Sequence, residues 1–181
     1  MTTKSRASRL VFVLGGASSG KSDVALRLAA KGIGKTAPRA FVATGEGRDE
    51  EMAAKIARHR LSRSAAWTTA EVPTDLTGWL EKHGKEFRVI VVDCLTMWLS
   101  NHFGLGSKES QVLHDMLAFI HAVKRMRARV ILVANELGMG VVPVDATSRR
   151  FRELAGAVNR LVAKEADEAY LVASGLSIRL K

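Results

Sequence analysis

Apolar residues along the chain fall in short continuous runs. Residues 10–14 read LVFVL, 88–93 read RVIVVD, and 130–134 read VILVA. Runs of this length and β-rich make-up suit strands buried on both faces of a parallel sheet. Residues 40–44 predict a further strand, and 67–72 a short extended piece. Between them the spacing turns helical. Residues 21–31 carry Val24, Ala25 and Leu28 on one side. Residues 49–63 carry Met52, Ile56 and His59 on one stripe. Thr74 is placed to cap a helix that runs to His83. Residues 107–127 line up Val112, Met116, Phe119, Ile120 and Val123. A glycine-containing loop at 135–146 leads into a helix at 148–166, and short strands at 168–173 and 176–180 follow. Strands alternating with helices predict an α/β fold whose mostly parallel sheet is flanked by helices. Repeats, low-complexity tracts and linkers are absent from the sequence, so a single domain is expected over 10–181, preceded by a basic tail at 1–9.

Composition changes this picture little. The chain has 181 residues, 47% of them hydrophobic and 25% charged, ordinary values for a globular domain. No apolar run approaches the ~20 residues that a membrane span needs. The run at 10–14 is also too short for the apolar part of a signal peptide. Cys94 is the single cysteine, so no internal disulfide can form, and a cytoplasmic location is expected. The formal charge of +10 raises the question of nucleic acid. However, the basic residues are dispersed and few aromatics interleave with them, whereas single-strand binders use aromatic platforms. Solvated helix faces and contacts to anionic small molecules account for the charge, and no nucleic-acid partner is expected.

The specific chemistry begins after the first strand. Gly15, Gly16, Ala17, Ser18, Ser19, Gly20, Lys21 and Ser22 match G-x-x-x-x-G-K-[ST], the phosphate-binding P-loop. Glycines let the backbone curl so that successive N–H groups face phosphate oxygens. Lys21 brings a point charge to the β- and γ-phosphates, and the Ser22 hydroxyl is a Mg²⁺ ligand. The helix that follows adds its positive amino end. Asp93 closes an apolar strand as the second Mg²⁺-holding group does in P-loop enzymes. The pattern establishes a bound nucleoside triphosphate but not its fate, which kinases, ATPases and GTPases all share. No guanine-reading N-K-x-D pattern is present.

A second stretch places His59 among Arg58, Arg60 and Arg63, at the end of the helix predicted beyond the second strand. That strand's carboxyl end faces the same crevice as the P-loop. A neutral imidazole there could attack phosphorus, with the guanidiniums holding it neutral and balancing phosphate charge. From spacing alone, a helical histidine is more often a solvated or capping residue, and both readings stand at this point.

Taken with these motifs, several further segments resemble the bifunctional adenosylcobinamide kinase / adenosylcobinamide-phosphate guanylyltransferase family of cobalamin biosynthesis. They include Asp49-Glu-Glu-Met52, Ile56-Ala-Arg-His59-Arg60, Thr69-Ala-Glu71 and Asp93-Cys-Leu-Thr-Met-Trp-Leu-Ser-Asn101. Asn135-Glu-Leu-Gly-Met-Gly-Val-Val-Pro143 is the most distinctive, because other P-loop kinases lack it. The resemblance implies a P-loop NTPase fold of RecA-like type and a homotrimer. It implies phosphorylation of adenosylcobinamide by ATP or GTP. It then implies transfer of GMP from GTP, through a guanylyl group on His59, to adenosylcobinamide phosphate. Lys21 and His59 become the catalytic residues. Nucleotide contacts are carried over to Thr44, Gly45, Arg60, Leu61, Ser62, Arg63, Glu71 and Asp93, with Mg²⁺ held by Ser22 and Asp93. Ser18 departs from the family's usual Arg and removes one cationic phosphate contact. Two alternatives remain beside this reading: a P-loop small-molecule kinase without guanylyl transfer, and a nucleotide-switched nucleic-acid-binding protein.

Overall fold

The computed structural model of the chain describes residues 9–34, 36–45 and 67–181. The predicted helix at 49–63 lies outside them. The apolar runs form the centre of one seven-stranded sheet, ordered β3-β2-β4-β5-β1-β6-β7. Its strands are β1 (Leu10–Gly15), β2 (Arg39–Ala43), β3 (Trp67–Glu71), β4 (Val89–Asp93), β5 (Arg129–Asn135), β6 (Glu168–Ala173) and β7 (Leu176–Arg179). All neighbouring pairs are parallel except β6 and β7.

Alternate side chains of each strand supply two cores, as a sheet covered on both faces requires. Leu10, Phe12, Ile90, Val92, Val130 and Leu132 face one way, into a core shared with α2 (Leu76–His83), α3 (Leu95–Gly104), α4 (Glu109–Arg125) and α5 (Ala146–Glu165). Val11, Val13, Val89, Val91, Ile131 and Val133 face the other way, against α1 (Lys21–Ala30). The sheet thus fixes β1, β2, β3 and β4 with their carboxyl ends along one edge.

Two expectations need correction. The hydropathy pattern assigns no element to 94–106, yet α3 fills most of it. Leu95, Trp98, Leu99 and Asn101 of this helix are buried, and no acidic residue or side-chain cap marks its start. A helix this apolar, entered straight from a strand, shows no amphipathic stripe to read. Secondly, α2 is capped by Asp75 rather than Thr74, since the Asp75 carboxylate accepts from the Gly78 N–H at 2.8 Å. Asp145 caps α5 in the same way through Ser148.

Candidate nucleotide site

The predicted P-loop forms the connection from β1 to α1. Gly15 is pinned between strands: a Cβ there would lie 2.2 Å from the Val172 carbonyl oxygen, so only glycine fits. Ser18 and Gly20 take left-handed conformations, with φ of 54° and 89°. Such turns make a backbone concave toward an anion, and Gly20 stands at the amino end of α1. Lys21 is largely buried and donates to the Gly16 carbonyl at 2.5 Å. Burial lowers the pKa of its ammonium, while Cys94 and Asp93 act in the opposite direction. Ser19 is buried, and its hydroxyl has no partner among the described residues. A buried hydroxyl in this state calls for an external acceptor.

The Ser22 hydroxyl donates to Asp93 Oδ2 at 2.6 Å. This contact joins the P-loop to the end of β4, across the intervening β5. Hard oxygen donors so placed suit a small hard cation, and Mg²⁺ commonly takes one or two protein oxygens and fills its shell with phosphate and water. The residues present therefore fit the expected ion.

Asp93 is held by groups that sequence reasoning treated otherwise. Thr44 is fully buried. Its hydroxyl donates to the Cys94 carbonyl at 2.6 Å and accepts from the Cys94 N–H at 2.9 Å. Both hydrogen-bonding faces of the side chain are thereby engaged by the turn after Asp93. Asn101 of α3 donates to the Thr44 and Pro73 carbonyls at 2.8 and 3.0 Å. The signal for Asn101 was available: one amide inside an apolar stretch. In a parallel arrangement Thr96 Oγ1 accepts from Asn135 N, and Asn159 donates to the Asn135 carbonyl. Burial first, and then the Asp93 carboxylate, push the Cys94 thiol up to about 11, which disfavours its nucleophilic thiolate near neutral pH.

The remaining sites line the same edge. Glu71 ends β3, exposed, opposite Ala43, and Ala43 is in turn opposite Asp93. Gly45 is half-buried just beyond β2. Glu71 is thus two strand spacings from Asp93, roughly 10 Å, and the P-loop strand lies two spacings beyond on the other side. His59, Arg60, Leu61, Ser62 and Arg63 fall outside the described residues. A further contact had no forecast. Ser174 and Gly175, both at positive φ, turn β6 into β7, and the Gly175 N–H donates to the Ser19 carbonyl at 2.8 Å. The β6–β7 hairpin therefore closes over the P-loop.

The basic segment at 143–152 is spent on its own loop and on the start of α4. Arg149 donates to the Pro143 and Val144 carbonyls, Arg152 to those of Gly138 and Val141, and Arg150 pairs with Glu109. Held this way, the loop presents Met139, Val141, Val142 and Val144 to solvent, with Val144 98% exposed.

Comparisons with known proteins agree with this geometry. Residues 11–180 match the family model described as cobinamide kinase / cobinamide phosphate guanyltransferase. The chain is 37% identical over 171 residues to the bifunctional adenosylcobalamin biosynthesis protein CobP of Pseudomonas aeruginosa, covering 94% of this chain and 96% of that one. It is 36% identical over 184 residues to the corresponding CobU protein of Salmonella typhimurium, covering 95% and 99%. Among solved structures, the flagellar accessory protein FlaH of Methanocaldococcus jannaschii is similar with a TM-score of 0.55 at 17% identity, covering 96% of this chain and 78% of that one. A KaiC-like protein of Pyrococcus horikoshii is similar with a TM-score of 0.53 at 15% identity, covering 90% and 70%. These two bear out the RecA-like P-loop fold.

Proposed function

Because the chain belongs to the cobinamide kinase / cobinamide phosphate guanyltransferase family, we propose that it is an enzyme performing both transfers on the adenosylated corrinoid. In the first, the hydroxyl of adenosylcobinamide attacks the γ-phosphorus of ATP or GTP, and the β–γ anhydride breaks. In the second, a ring nitrogen of His59 attacks the α-phosphorus of GTP and pyrophosphate leaves. A phosphate oxygen of adenosylcobinamide phosphate then attacks the same phosphorus, freeing His59 and giving adenosylcobinamide-GDP.

The observation that carries this reading is the Ser22–Asp93 contact at 2.6 Å beside the buried Lys21. Ser22 and Asp93 would hold Mg²⁺, which when bound draws charge from the β- and γ-phosphate oxygens. Lys21 holds the phosphates in place, and the Ser19 hydroxyl gains its acceptor from them. Gly45, Glu71 and the segment Arg60 to Arg63 serve the nucleoside and the histidine. Thr44 contributes from beneath, through the Asp93–Cys94 turn. The four strand spacings between Gly15 and Glu71 give the edge room for attack at the α-phosphorus away from the loop that grips the γ-phosphate. A cytoplasmic homotrimer is part of the same proposal. Its support is the apolar exposure of the loop from Met139 to Val144 and of Leu176 and Ile178 on β7, a combination that marks protein contacts.

The test is the intact mass of the protein after incubation with GTP and Mg²⁺. An added, acid-labile GMP is expected on the wild type and none on His59→Ala. Labelling that survives His59→Ala removes the histidine from the mechanism. Formation of the phosphate ester alone from adenosylcobinamide reduces the enzyme to a kinase.

A further inference from the structure

The edge of the sheet opposite the P-loop holds a cavity of about 880 Å³. β1 alone separates the two edges by roughly 17 Å. Among the described residues the cavity is lined by six cations: Arg9, Lys31, Arg88, Arg127, Arg129 and Arg179. Glu168 is the one carboxylate among these described lining residues, bridged to Arg129 at 3.8 Å and accepting from the Tyr170 hydroxyl at 2.6 Å. The sequence builds this edge systematically. In four neighbouring strands the residue at the amino end is arginine: Arg39 opens β2, Arg88 precedes β4, Arg129 opens β5 and Arg9 precedes β1.

Part of this charge is structural. Helices of a parallel α/β fold end on this side, and each carboxyl end carries about half a negative charge. Arg9 donates to the Lys124 carbonyl of α4 at 3.1 Å, and Arg129 to the Leu28 carbonyl of α1 at 3.0 Å. Two helix ends offset about one unit, and Glu168 offsets another. Six cations exceed that by a wide margin. Arg88, Arg127 and Lys31 have no side-chain partner among the described residues. Arg129 also keeps a buried Nε–H with no acceptor among the described residues. A surplus of guanidiniums in a concavity, with a buried donor unmet, recognises a multiply charged anion.

We propose that this amino-edge cavity is a second anion site, separate from the P-loop, for an oligophosphate of the pyrophosphate or tripolyphosphate class. Guanidiniums from the strand ends and the Lys31 ammonium of the loop after α1 converge on one space, so successive phosphates along such a ligand meet different cations. The volume is that of a small-molecule site. A lone orthophosphate would engage only a fraction of the cations.

The probe is tripolyphosphate, titrated calorimetrically without Mg²⁺ into the full chain and into Lys21→Ala, which weakens the P-loop. One binding event is expected to persist in Lys21→Ala and to weaken steeply with salt. Adding Arg88→Ala and Arg127→Ala to that background is expected to weaken it by about tenfold per arginine. Hydrogen exchange on Lys21→Ala is an independent readout, with protection expected at 31–34 and 127–129. Loss of all binding in Lys21→Ala, unchanged affinity in the triple variant, or protection confined to 15–22 overturns the proposal.

Discussion

Thr44→Val removes one hydroxyl and keeps the shape of the side chain. Its oxygen currently satisfies both the N–H and the carbonyl of Cys94 in a fully buried position. Two hydrogen bonds at ~1 kcal/mol each are lost, and two backbone groups are left with diminished solvation, so the expected cost is about 2–4 kcal/mol. Thr44→Ser keeps the hydroxyl and loses one methyl, for about 1 kcal/mol. The difference between the two variants isolates the hydroxyl. Asp93 immediately precedes the turn that this hydroxyl holds, so Thr44→Val is also expected to weaken Mg²⁺-dependent triphosphate binding, while Thr44→Ser retains most of it. Denaturant unfolding measures the first quantity and calorimetric titration of a non-hydrolysable triphosphate the second. If Thr44→Val were as stable as Thr44→Ser, the bracing role would be refuted. Wild-type stability combined with lost nucleotide binding would instead make the hydroxyl a direct nucleotide contact.

Three other outcomes follow from the site. Ser22→Ala and Asp93→Asn are each expected to reduce Mg²⁺-triphosphate affinity about tenfold or more, with little effect on binding measured in EDTA; equal losses in both conditions would take the metal out of the argument. Gly15→Ala places a Cβ 2.2 Å from a backbone oxygen of β6, so a loss of at least ~3 kcal/mol is expected by thermal unfolding. The Cys94 thiol, raised from 9.0 to about 11, keeps its proton in the folded state when the unfolded chain has lost it. Its contribution to stability is therefore complete below pH 9 and falls away between pH 9 and 11. Alkylation at pH 8 is expected to be slow in the native protein and fast in denaturant, and Cys94→Ala is expected to flatten that alkaline limb.

The β-rich runs announced the central strands because a strand covered on both faces has no polar residue to interrupt it. The P-loop was equally legible, since its glycines answer to a backbone geometry that few other residues permit. Asp93 could be named for its place at a strand end. What escaped the sequence was support at a distance. The role of Thr44 depends on Cys94, 50 residues away, and that of Asn101 on Thr44. The capping of α2 by Asp75 instead of Thr74 turned on a one-residue difference in backbone path. Helix α3 was hidden because Trp98 and Leu99 leave it without a solvated face. The arginines at 143–152 register in the sequence only as charge, whereas in the fold Arg149 and Arg152 reach back to loop carbonyls, which no charge count reveals.

The strand that ends in the P-loop, β1, lies between β5 and β6. This order has a consequence for the chain as it leaves the ribosome. The neighbours that pair with residues 10–15 are 129–135 and 168–173, so β1 is among the first strands made and among the last to be paired. A nascent chain shorter than about 130 residues has nothing to hold the nucleotide loop, and triphosphate cannot help it fold. Ligand binding becomes available only when β5 and β6 close around β1 and the turn at Gly175 settles on Ser19. Substitutions in β6 that slow this closure would then lower the yield of nucleotide-competent protein from synthesis, even where the finished fold tolerates them.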